Sequence, residues 1–154
     1  MPNTPAAVGK GITALIGNTF VSDQDVDVAE HLLQATGQTV RLDSESQIDA
    51  VTGVSGSGPA YVFHMIETLA AAGRAQGLPD AMAMALAKAT VAGAGALAEQ
   101  SDETPTQLRI NVTSPNGTTQ AGLDVLMDAT SGLPPLIAKT VDAATKRSKE
   151  LANG

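Results

Sequence analysis

Asp49-Ala-Val-Thr-Gly-Val-Ser-Gly-Ser-Gly-Pro-Ala-Tyr61 is a run of small hydroxyl residues and glycines that opens onto a helix-like segment. Val112-Thr-Ser-Pro-Asn-Gly-Thr-Thr119 repeats the arrangement. A junction of this kind presents free backbone N–H groups and hydroxyls to a small anionic ligand. Two of them separated by Ala-rich helices point to a site shared by several helix ends. Each segment alone has a plainer reading. Ser55-Gly-Ser-Gly-Pro59 also reads as an elaborate helix cap, and Pro115-Asn116-Gly117 as a capped turn. No Gly-Lys-Ser/Thr follows the first run, so it is not a Walker loop, and it does not follow a clear strand as a dinucleotide fingerprint would.

Outward from these runs, the chain reads as two parts. Gly11-Ile-Thr-Ala-Leu-Ile-Gly17 is a short strand bounded by glycines. Ser22-Asp-Gln-Asp25 starts a helix with Val26, Ala29, Leu32 and Leu33 at helical spacing, Gly37 is a natural stop, and Thr39-Val-Arg-Leu42 is a second strand. This strand–helix–strand piece, residues 1–43, is too small to be a domain alone. From Ser44 the pattern is helical. A turn at Ile48–Val51 precedes the glycine-rich stretch. A helix then starts at Pro59, carries Val62, Met65, Ile66, Leu69 and Ala70 on one face and ends near Gly77. A long Ala/Met/Leu helix spans 81–99, Thr104-Pro-Thr-Gln107 caps another, and a helix covers about 119–129. Gly132-Leu-Pro-Pro135 breaks the chain before a final helix, 137–151. The fold class is therefore mainly α, with residues 44–154 as the helical domain.

Composition narrows the function. The chain has 154 residues, a net charge of −7 and no cysteine, which excludes disulfides and thiolate chemistry. No run of Lys and Arg offers a nucleic-acid surface. No apolar stretch of about 18 residues lacks charged or polar breaks, so no membrane span is expected, and the N-terminal stretch is not a signal peptide. The expected location is the cytoplasm. His31 and His64 are the only histidines and lack matched carboxylates, so no metal is expected. His31 reads as a surface residue and His64 as a packing or interface residue. Met82 and Met84 fall on opposite sides of their helix, so only one is expected in the core of a single chain. Aromatics are limited to Phe20, Tyr61 and Phe63, and the core must come from Ala, Val, Leu, Met and Gly. Such a core buries little area per residue and suits a partner subunit, with Gly93 and Gly95 as points of close helix approach.

The two runs, with Met1-Pro-Asn-Thr-Pro-Ala6 and the closing Ala143-Ala-Thr-Lys-Arg-Ser-Lys-Glu-Leu151, resemble pyrroline-5-carboxylate reductase in order and spacing. In the family pattern a glycine stands where this chain has Asn116. The resemblance implies a helical dimerisation domain of the 6-phosphogluconate-dehydrogenase C-terminal-like type, preceded by a short remnant of a Rossmann domain. It implies hydride transfer from NADPH or NADH to the C=N bond of 1-pyrroline-5-carboxylate, giving L-proline. By the same resemblance Ser114, Pro115, Gly117, Thr118 and Thr119 bind the substrate, with Thr119 on the ring nitrogen as the catalytic group. The Ser-Gly-Ser-Gly-Pro run has a more structural role. Asn3, Thr4 and Pro5 lie near the nicotinamide, and the helices assemble into a homo-oligomer. The family's G-x-G-x-x-[GA] loop is missing, so the resemblance also implies a truncated chain, inactive alone. The alternative is a non-catalytic helical dimerisation module. A third possibility, another hydroxyacid-dehydrogenase-like enzyme, needs a lysine in a glycine-rich helical motif, and Lys88 lies mid-helix among alanines instead.

Overall fold

The computed structural model describes residues 1–152. The chain forms two compact units, one made of residues 1–61 with the chain from 137 onward, the other of residues 62–136.

The first unit holds β1 (Gly11–Leu15), α1 (Asp23–Leu33) and β2 (Gly37–Arg41). The strands pair in parallel with Gly11 opposite Gly37, so the crossover helix is obligatory. Ser22 caps α1 in a reciprocal box with Asp25, whose carboxyl the Ser22 hydroxyl and N–H hold below the usual carboxylate range. Glu30 on α1 accepts from Thr39 Oγ1 at 2.9 Å and from Arg41 Nε at 2.8 Å, which fastens the helix to β2. A 3₁₀ turn, Gln34–Thr36, extends α1, so Gly37 ends that turn and also begins β2. Its φ of 138° is open to glycine, and a Cβ there would lie 2.1 Å from the Gly11 carbonyl oxygen.

After β2 come α2 (Ile48–Val51) and then Thr52–Gly56, which is not a loop. This glycine-rich stretch is a π-helical turn continuous with α2, and it corrects the expectation of an open, ligand-facing junction. Thr52 Oγ1 and Ser55 Oγ each donate to the carbonyl four residues back, and Ser57 N donates to Thr52 O at 2.8 Å. The hydroxyls that signal a ligand loop are consumed locally. α3 (Gly58–Ala75) follows, and α7 (Leu133–Ala152) returns from the second unit. Pro134 and Pro135 lie in the first turn of α7 rather than in a break. That turn has no intrahelical use for their missing N–H groups. In the first unit, α7 packs on the π turn at Gly53, and Ser148 Oγ donates to Asp49 Oδ1 at 2.6 Å.

The second unit contains the rest of α3, then α4 (Asp80–Gln100), α5 (Pro105–Asn111) and α6 (Thr118–Leu126). α3 ends where expected. Gly77 is left-handed (φ 91°), its N–H donates to Arg74 O, and Leu78 N donates to Gly73 O, the six-to-one closure that glycine permits. Small residues let α3 and α4 approach: Ala70, Ala83 and Ala87 are buried, and a Cβ on Gly73 would touch Ala83. Thr104 caps α5 through Gln107 N.

No large side chain is fully buried among the described residues. Val62, Phe63, Met65, Leu69, Met82 and Leu86 are all exposed, while Met84 is half-buried, as their spacing suggests. Among the described residues, no atom outside the helix's own neighbouring backbone lies within 4 Å of a Cβ built on Gly93 or Gly95. α4 is long and apolar enough to cross a membrane by length and composition, its Lys88 notwithstanding.

Asp128, between α6 and α7, accepts from the hydroxyls and N–H groups of Thr130 and Ser131. The Thr130 hydroxyl first, then these other donors, hold its carboxyl well below the usual range. A depressed folded-state value stabilises the fold above the unfolded value of about 3.9 and loses that stabilisation as pH falls toward the folded one. Asp128→Asn is expected to lower the melting temperature at pH 7. The gap from wild type should close as the pH falls below about 3.9. A gap that does not change with pH removes the carboxylate from this role.

Candidate functional site

The Val112–Thr119 segment joins α5 to α6 within the second unit. Thr113 Oγ1 donates to Arg109 O at 2.6 Å and closes the end of α5. Gly117 N then donates to Ser114 O at 3.0 Å, with Pro115 and Asn116 between them. Asn116 has φ 60°. Proline followed by a left-handed residue is the type II arrangement. Asparagine tolerates that conformation better than other side chains, so the turn survives where the family pattern has glycine.

Gly117 sits at the cap position of α6 in extended conformation and offers no side chain to the first helical N–H groups. A Cβ there would lie 3.0 Å from Ser114 O. The first helical bond in this turn is from Ala121 N to Gly117 O. The N–H groups of Thr118 and Thr119 lie ahead of it. The side chains of Ser114, Thr118 and Thr119 are exposed around this uncapped end, and Pro115 and Asn116 are exposed on the turn. Hydroxyls, bare N–H groups and the positive end of a nine-residue helix converge here, an arrangement suited to a carboxylate. Arg109 Nη1 donates to Met127 Sδ at 3.3 Å, which fixes the far end of α6 to α5.

The Asn3–Pro5 segment belongs to the first unit. Thr4 and Pro5 begin a 3₁₀ helix, Thr4–Val8, and Met1 exchanges backbone hydrogen bonds with Ala14 on β1. Asn3 is half-buried. Its Oδ1 accepts from Ile12 N at 2.9 Å and its Nδ2 donates to Ser55 O at 3.2 Å. Two motifs that are far apart in sequence thus meet, with Tyr61 OH donating to Gly53 O at 3.2 Å in the same junction. Sequence reasoning missed this pairing, and no local signal announces it.

The one glycine-rich stretch of the first unit is helical and internally bonded. An open cleft of about 320 Å³ lies at the carboxyl ends of β1 and β2, beside Leu15, Asn18, Asp23 and Arg41. Its guanidinium is already held by Asp27 and Glu30. Among the described residues no three His, Cys, Asp or Glu side chains gather to hold a metal. His31 is exposed, and His64 is exposed and paired with Glu67 at 3.0 Å.

The fold is that of a helical dimerisation domain preceded by a short βαβ remnant of a Rossmann domain. The chain belongs to the pyrroline-5-carboxylate reductase dimerisation family, which matches residues 45–151. The pyrroline-5-carboxylate reductase of Synechocystis sp. is 48% identical over 151 residues, 98% of this chain and 55% of that protein. The solved pyrroline-5-carboxylate reductase of Coxiella burnetii superposes with a TM-score of 0.92 at 40% identity, covering 98% of this chain and 55% of that one. The Plasmodium falciparum pyrroline carboxylate reductase, solved with NADP bound, gives 0.84 at 33% identity, covering 97% of this chain and 60% of that one. The chain thus spans about half the length of the relatives it matches.

Proposed function

We propose that this chain is the substrate-binding and dimerisation half of a cytoplasmic pyrroline-5-carboxylate reductase, dividing near residue 43 between Rossmann remnant and helical domain. The observation that carries this reading is the family match across 45–151 together with the bare α6 terminus behind the Ser114–Gly117 turn. In this reading Ser114 and the Gly117–Thr118 backbone hold the carboxylate of 1-pyrroline-5-carboxylate, beside Pro115, and Thr119 donates to its ring nitrogen. Asn3, Thr4 and Pro5 lie near the nicotinamide in this reading. NADPH or NADH supplies the hydride when bound; these residues orient the imine and balance charge at its nitrogen. The exposed apolar faces of α3 and α4 suit a homo-oligomer, which gives α4 a use other than a membrane.

The test is NADPH oxidation with 1-pyrroline-5-carboxylate at known oligomeric state. The 154-residue chain alone is expected to be a folded oligomer without turnover. Fused to the nucleotide-binding half of the Synechocystis relative, it is expected to turn over. A folded, oligomeric fusion that oxidises no NADPH would overturn the reading. The second reading, a dimerisation module without catalysis, would then take its place.

A further inference from the structure

The carbonyl of Ser55 faces a defect built into the sequence. In a continuing helix its donor would be the N–H four residues on, and that residue is Pro59, which has none. The π turn ends at Gly56 and α3 begins at Gly58, so the defect falls at the seam between them. Asn3 Nδ2 occupies the missing donor's place at 3.2 Å from Ser55 O. The other end of the same amide accepts from Ile12 N on β1. Only a side chain with a donor and an acceptor at this length bridges both; aspartate would set a carboxylate against the Ser55 carbonyl.

We propose that Asn3 is a positioning residue: it replaces the absent Pro59 N–H and thereby locks the Met1–Pro5 segment onto the α2–α3 seam. This rests on the reading above in assigning that segment to the nicotinamide side. It assigns Asn3 to holding the segment, and leaves Thr4 and Pro5 to present its surface. Neighbouring contacts agree. Tyr61 OH bonds the Gly53 carbonyl of the same turn, and a Cβ on Gly56 would lie 3.5 Å from Met1 Sδ.

The test is a double-mutant cycle read by amide hydrogen exchange on the 154-residue chain, which needs no turnover and so is separable from the functional reading. Asn3→Ala is expected to speed exchange at Ser57 and Ala60 about tenfold, the worth of one part-buried hydrogen bond. Pro59→Ala restores an N–H for Ser55 O. In that background Asn3→Ala should change Ser57 and Ala60 less than about twofold, while Ile12, which loses its acceptor either way, speeds up in both. Equal acceleration of Ser57 and Ala60 in both backgrounds, or none in either, overturns the proposal. If Asn3→Ala alone does not fold, a folded double variant supports it and an unfolded one overturns it.

Discussion

Gly53→Ala is expected to destabilise the first unit by about 2 kcal/mol, even though alanine is the better helix former. Gly53 is buried at the contact with α7. A Cβ built there would lie 2.4 Å from Thr145 Oγ1 and 3.1 Å from the Val141 carbonyl oxygen. Threonine in a helix has two χ1 rotamers, so relief at Oγ1 requires a rotamer change. The carbonyl belongs to the α7 backbone, so α7 itself must yield. The strain also bears on the Ser148–Asp49 hydrogen bond, which fastens the same two elements. For a chain of this size the loss should appear as a drop of roughly 4–8 °C in melting temperature at fixed protein concentration. Thr145→Ala removes the nearer clash, so the double variant should recover most of the difference. An unchanged melting temperature, or no recovery in the double variant, would show that the helices are not held at this distance.

Thr119→Ala, in the fusion carrying a nucleotide-binding half, is expected to lower kcat/KM about tenfold or more. In the proposed reaction, as hydride reaches the imine carbon the π pair of the C=N bond moves to nitrogen, which takes its proton from solvent. A hydroxyl donor at that nitrogen is worth more in the transition state than in the bound substrate. Thr119 lies in the exposed, uncapped first turn of α6, where no side chain caps the helix. Thr119→Ser keeps the donor and should keep most of the rate. The role fails if Ala and Ser variants match wild type, or if Ser loses as much as Ala.

The elements were legible wherever their signals are local. The Ser22–Asp25 box, the Thr104 cap, the Gly77 stop and the strand flanks each act within a few residues. Each lies within a few residues of where its signal placed it. The turn at 114–117 was legible for the same reason, since Pro115-Asn116 fixes its geometry by φ alone. The roles of Ser114 to Thr119 rest on likeness and chemistry rather than on any local rule.

By itself the sequence determined a βαβ piece, a set of Ala-rich helices with their caps, and membership in a family through four ordered motifs. Only the tertiary structure decided what the glycine-rich run is. Locally, Thr52–Gly56 looks like a loop, because glycine and hydroxyl residues disfavour helix. In the fold it is a π turn, where a bare Gly53 lets α7 approach and Asn3, 52 positions earlier than Ser55, donates to the Ser55 carbonyl. Such contacts carry no periodicity and no short-range signature. The same holds for the sparse core: composition announced a shortage of large side chains, but only the packing showed that, among the described residues, four alanines are the buried hydrophobic ones.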